Sequence, residues 1–263
     1  MTVAPRPPLL DLRNVTVLRG ERPALERVTL RIESGEHVCI LGPNGCGKST
    51  LIKTITREVY PLYSDDSSMT ILGHDRWDVS QLRSHMGIVS PDLVTARSGD
   101  ATGRDIVLAG LFASARMFPN HRVTAEHRAR ADAALARLHI EHLADRPFCE
   151  MSSGETKRTL IARALVHDPQ TLLLDEPSSA LDIAAQFQLQ AAMRALAGAG
   201  LGILLVTHHV SEIIPEIGRI VMLRQGRVLV DGAKERVLTQ ENLQALFGVP
   251  VELTRRDGFF HVR

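Results

Sequence analysis

Short apolar runs and longer three-and-four-residue periodicities divide the chain into recognisable elements. LLDLRNVTVL (9–18) and ALERVTLRI (24–32) read as β-strands separated by the turn RGERP. HVCIL (37–41) is a short buried strand, and LIKTIT continues a helix that runs from Lys48 to about Arg57. Residues 60–78 are turn-rich, with a short strand at MTILG (69–73), and MGIVS (86–90) is another buried strand. From Gly103 to Leu143 the pattern turns helical and alanine-rich, and a further helix follows Ser152. TLLLD (171–175) is a wholly apolar strand. A helix, the strand GILLV (202–206) and a short helix after Ser211 come next. The hairpin IVMLRQGRVLVDG (220–232), two short helices around 234–247 and a last strand-like stretch close the chain.

Strands that alternate with helices predict an α/β fold with a mostly parallel sheet covered on both faces. The helical block over 100–165 interrupts that alternation and reads as an inserted subdomain. The antiparallel pair at the N-terminus forms a β subdomain.

GPNGCGKST (42–50) lies between a strand and a helix, with the spacing Gly42-x4-Gly47-Lys48-Ser49. This is a phosphate cradle. Glycines permit the tight, partly left-handed backbone that turns successive N–H groups inward, and the helix N-terminus adds positive potential. The candidate nucleotide-binding residues are therefore Gly42, Pro43, Asn44, Gly45, Cys46, Gly47, Lys48, Ser49 and Thr50. Lys48 reaches the β- and γ-phosphates, and the Ser49 hydroxyl is a candidate ligand of Mg²⁺. A glycine-rich turn with a chance lysine is the competing explanation; strand, spacing and helix together argue against it.

TLLLDEP ends a buried strand in Asp175 and Glu176. Ligands gather at the carboxyl ends of strands in α/β sheets. Asp175 is thus a candidate Mg²⁺ ligand, and Glu176 the candidate that orients or deprotonates an attacking water. His208 ends the next strand in VTHH and is a candidate γ-phosphate contact, although such histidines are also commonly structural. MSSGE (151–155) opens a helix, with Ser152 as N-cap and Gly154 admitting close approach of an anion. One ATP has no use for two such cradles from one chain. Two chains arranged head to tail, each offering MSSGE to the other's nucleotide, give the second cradle a purpose.

The order GPNGCGKST, MSSGETKR, LLLDEP, SALD, THH resembles the ATP-binding cassette (ABC) ATPase family from about Leu9 to Phe247. The resemblance implies a P-loop NTPase core, with Gly42 to Thr50 as Walker A and Asp175 with Glu176 as Walker B. It makes Ser152, Ser153, Gly154 and Glu155 a signature that reaches across a dimer. Ser179 to Asp182 becomes the loop joining the two sites, and His208 the switch histidine. The implied layout is a single ABC ATPase domain. Its core and β subdomain cover about 9–90 and 166–247, its helical subdomain about 91–165, and 248–263 is a C-terminal extension. The chain departs from the family in three places. Arg19 stands where an aromatic residue usually stacks on adenine, and its guanidinium can stack on a base instead. No glutamine stands near Pro91, where the family's metal-sensing and partner-coupling glutamine falls. Ser153 and Glu155 replace a glycine and a glutamine that are common in the signature. VSPDL, DIVLAGLFAS, VTHHVSEIIP and LTQENLQALF further resemble stand-alone bacterial cassettes related to molybdenum- and iron-type transporter ATPases.

Composition narrows the partners. Net charge is +1, so no global field points to nucleic acid or to anionic membrane. The longest apolar runs fall far short of a membrane span, so membrane contact is expected only through a partner. The three cysteines, Cys39, Cys46 and Cys149, are scattered and suit a reducing compartment. Cys46 has two readings: a small residue at a variable loop position, or a thiol activated by Lys48 and the helix N-terminus. The resemblance implies ATP and Mg²⁺ as cofactors, a second cassette and a transmembrane permease as partners, and a place at the cytoplasmic face of the membrane. The expected role is the motor of a transporter, an importer in direction. A soluble ABC ATPase in a regulatory or repair complex is the alternative. A P-loop kinase is a third class, which MSSGE and SALD oppose.

Overall fold

The computed structural model describes residues 6–90 and 100–263. In chain order its elements are β1 (Leu10–Arg19), β2 (Arg22–Ile32), β3 (Val38–Leu41), α1 (Lys48–Ile55), β4 (Ser68–Ile71), α2 (Val79–His85) and β5 (Met86–Val89). There follow α3 (Gly103–Leu111), α4 (Ala125–Ala136), α5 (Ser153–Leu165), β6 (Thr171–Asp175), α6 (Ile183–Gly198) and β7 (Gly202–Thr207). The last are β8 (Arg219–Arg224), β9 (Arg227–Ala233), α7 (Lys234–Val237), α8 (Gln240–Phe247), β10 (Leu253–Arg256) and β11 (Phe259–Val262). They fall into two compact units, residues 1–82 with 202–263, and residues 83–201.

In the first unit, β1 pairs antiparallel with β2 on one side and β4 on the other. β3 is parallel to both β7 and β8, and β9 turns back antiparallel on β8. Every residue of β3 and β7 is buried, which is why both read as continuous apolar runs without alternation. The antiparallel strand β9 alternates instead, as a strand with one solvated face does. In the second unit, β5 and β6 run parallel in the register Met86↔Thr171 to Val89↔Leu174.

Four local readings need correction. α2 falls just past the turn-rich stretch; Asp78 accepts from the Gln81 N–H at 3.3 Å and starts it. The periodic block from Gly103 to Leu143 is two helices, each opened by its own capping box, Thr102 with Asp105 and Thr124 with His127. Residues 112–124 between them are not helical. The C-terminal strand-like stretch is a full hairpin, β10 paired with β11. The short helix expected after Ser211 is a single 3₁₀ turn over Val210–Glu212.

Candidate nucleotide site

The loop between β3 and α1 is built in the first unit. Gly42 and Gly47 are steric requirements. A Cβ on Gly42 would lie 2.3 Å from the Leu223 carbonyl oxygen and 2.6 Å from Cys46 Sγ. Gly47, the N-cap of α1, has φ +111°, and a Cβ there would sit 2.5 Å from the Ala24 oxygen. Two distant hairpins thus brace the loop. Gly226 N donates to Cys46 O at 2.8 Å, and Glu26 N donates to Gly226 O at 2.8 Å. Sequence reading missed Ala24 and Gly226; the glycine of RQGR was their only visible signal.

Lys48 is buried at 5% exposure, and its ammonium donates to the carbonyls of Gly42 at 2.8 Å and Pro43 at 3.1 Å. Asn44, Gly45 and Ser49 are exposed, so the outer backbone of the loop and the Ser49 hydroxyl face solvent, while Thr50 is buried. Cys46 is buried at 4% exposure. Burial pushes its thiol up, against the opposing pull of Lys48. Of the two readings of Cys46, burial favours the small loop residue, since desolvation disfavours the thiolate more than the lysine favours it.

Thr207 O, at the end of β7, accepts from Gly42 N at 3.2 Å, which sets the next residue, His208, beside the start of the loop. His208 is half-buried, and its ring centroid lies 3.8 Å from that of His209. Arg19 ends β1 opposite Arg22 and is exposed. Its hairpin is the one whose Ala24 carbonyl abuts Gly47.

The second unit holds the acidic pair and the second cradle. Asp175 closes β6, and Glu176 adopts φ +45°, a left-handed conformation that a non-glycine residue occupies at a cost. Ser179 N donates to Glu176 O at 3.2 Å, so a tight turn follows the carboxylate at once. Asp182 then caps α6, accepting from Ala185 N at 2.7 Å.

At α5 the expected N-cap forms. Ser152 Oγ accepts from Glu155 N at 3.3 Å, and the Glu155 carboxylate accepts from Ser152 N at 2.8 Å. These hydrogen bonds, with Arg146 3.2 Å away, hold the Glu155 carboxyl below its ordinary value. Ser152 and Ser153 are exposed. Gly154 has a packing reason of its own, since a Cβ there would lie 2.9 Å from the Ala185 Cβ. α5 and α6 therefore meet at their N-terminal ends, and the MSSGE cradle sits next to the SALD turn. Pro91 lies outside the described residues. No cluster of three or more His, Cys, Asp or Glu side chains suited to a metal occurs among the described residues.

Known proteins resemble this chain over most of its length. The profile of the ABC transporter family matches residues 25–179. The hemin import ATP-binding protein HmuV of Hahella chejuensis is 33% identical over 246 residues, covering 89% of this chain and 91% of that protein. An inward-facing metal-chelate type ABC transporter superposes with a TM-score of 0.78 at 25% identity, covering 97% of this chain and 96% of the other. A dimeric bacterial ABC transporter cassette superposes with a TM-score of 0.69 at 27% identity, over 85% of this chain and 98% of that one. The chain belongs to the ABC transporter family, as its ATP-binding and ATP-hydrolysing subunit.

Proposed function

We propose that this chain is the cytoplasmic motor of a membrane importer and works as a dimer of cassettes on a transmembrane permease. The observation that carries the reading is the buried Lys48 inside a loop whose Gly42 and Gly47 leave no room for a side chain. Among the described residues no helix is long and apolar enough to cross a membrane, which fits a subunit that reaches the bilayer through a partner.

The residues divide the chemistry. Backbone N–H groups within Asn44 to Thr50 and the Lys48 ammonium hold the phosphates. Arg19 stacks on the base. Glu176 orients the attacking water and takes its proton, and His208 hydrogen-bonds the γ-phosphate. Ser152 to Glu155 of the other chain cover the same phosphates from the opposite side. A hydroxyl and a carboxylate are the hard oxygen donors that Mg²⁺ takes, and Ser49 with Asp175 supplies them. Bound there, the ion would supply positive charge that offsets the phosphates. Lys48 exchanges its carbonyl partners for phosphate when ATP enters.

The test is purification of Glu176→Gln from native membranes in mild detergent with ATP, followed by mass spectrometry. A stoichiometric integral membrane protein is the expected companion. A dimer that carries none contradicts the transport role and returns the soluble ABC ATPase as the better reading.

A further inference from the structure

The first unit contains a cavity whose lining shares only His208 with the proposed nucleotide chemistry. Its volume is about 500 Å³, within the ~300–1,000 Å³ of small-molecule sites. Phe247, Val249 and Val251 contribute apolar lining, and His208, His209 and His261 contribute three imidazoles. Three segments build it: the end of α8 with the chain beyond it, β11, and the residues after β7.

The wall contributed by the C-terminus is well anchored. Gly258, at φ +84°, lies against Pro215, where a Cβ would come within 3.2 Å of the ring. Phe260 is buried at 7% exposure, under the Arg255 guanidinium at 5.3 Å. Glu252 and Arg263 exchange backbone hydrogen bonds of 3.0 Å. A terminus held at three points keeps a cavity open rather than fraying across it. Val249 nevertheless stays 54% exposed at the rim, an apolar surface turned to solvent.

The lining selects a ligand class. Among the described lining residues there is no carboxylate, so no anionic side chain there pairs with an organic cation. The rings of His209 and His261 can each donate an N–H in the same cavity as the apolar lining. A molecule with an apolar body and an acceptor group at one end satisfies both at once. We infer that this cavity binds a small amphipathic acid, and that its occupancy is read by His208. An acid that engages the His208 ring draws it from the γ-phosphate and slows turnover without displacing ATP. That coupling rests on the role proposed above for His208; the binding itself does not.

The test uses octanoate as probe on the full chain. By calorimetry, wild type and Lys48→Ala are expected to bind it at one site with equal affinity. Val249→Asp and Val251→Asp are each expected to weaken it at least tenfold, while Val249→Asp keeps octanoate-free ATPase activity. No binding to wild type overturns the inference. So does equal binding by both aspartate variants, or loss of binding in Lys48→Ala, which would place the probe in the phosphate loop. Saturating octanoate is expected to lower wild-type turnover at saturating ATP at least threefold. If His208→Ala is impaired but octanoate leaves wild-type turnover unchanged, the coupling is overturned. If His208→Ala turns over normally, the proposed role of His208 is what fails, and binding is judged by calorimetry alone.

Discussion

The Lys48 ammonium donates a 2.8 Å hydrogen bond to the carbonyl oxygen of Gly42, six residues earlier, so the cation closes the loop that presents it. With Pro43 as second acceptor, the lysine is pre-positioned under the backbone that meets the phosphates. Lys48→Ala is expected to weaken ATP binding about ten- to a hundredfold, since a charge-assisted hydrogen bond contributes roughly 1.5–3 kcal/mol. Titration with a fluorescent ATP analogue measures it. Unchanged affinity would remove Lys48 from the site.

Gly42 and Gly45 separate steric need from backbone need. A Cβ on Gly42 runs into the Leu223 carbonyl at 2.3 Å, whereas one on Gly45, at φ +78°, meets nothing within 4 Å. Gly45→Ala should cost about 1–2 kcal/mol for a left-handed alanine. Gly42→Ala should cost more than Gly45→Ala and distort the loop, because the neighbour is backbone and cannot rotate away. Urea unfolding compares them. Equal losses would show that the Leu223 contact relaxes freely.

Cys46 and the exposed Cys149 give an internal control on thiol reactivity. Burial raises the Cys46 pKa, so at a given pH less of it is thiolate than in an ordinary cysteine. At neutral pH, maleimide should label Cys149 first and Cys46 only slowly. The Cys46 rate should still climb as pH rises past 8. Preferential modification of Cys46 at pH 7 would restore the activated-thiol reading.

Glu155 makes the start of α5 acid-sensitive. Its folded pKa lies below the ordinary 4.5, chiefly through the Ser152 backbone N–H. A depressed carboxylate stabilises the fold above its unfolded pKa, and that contribution is lost as pH falls through the folded value. Glu155→Gln should therefore lower the urea midpoint at pH 7. The gap to wild type should narrow below pH 4.5. A gap that is constant with pH would mean that the carboxylate charge plays no part.

Much of this was legible because it is local. The Gly42–Thr50 cradle, the Ser152 cap with Glu155, and the buried β3, β6 and β7 are each written in under ten consecutive residues. What stayed hidden depends on residues far apart in the chain. Cys46 is desolvated in a loop packed against Leu223 and Gly226, about 180 residues away by number, and no spacing announces that. Gly154 looked like an anion contact, and its contact with Ala185 shows only once α5 meets α6. α2 is a different case: Asp78 three residues before Gln81 is a legible start signal, masked by the turn residues ahead of it.

Glu176, held at φ +45° just after β6, is the residue on which the catalytic account turns. Replacing its carboxylate by an amide keeps the size and removes the base, which should lower turnover by ~10²–10⁴. The decisive measurement is sedimentation velocity of purified Glu176→Gln with MgATP, with bound nucleotide counted in the same sample. A dimer carrying two intact ATP molecules is expected. A monomer with ATP bound, or turnover at the wild-type rate, would contradict it.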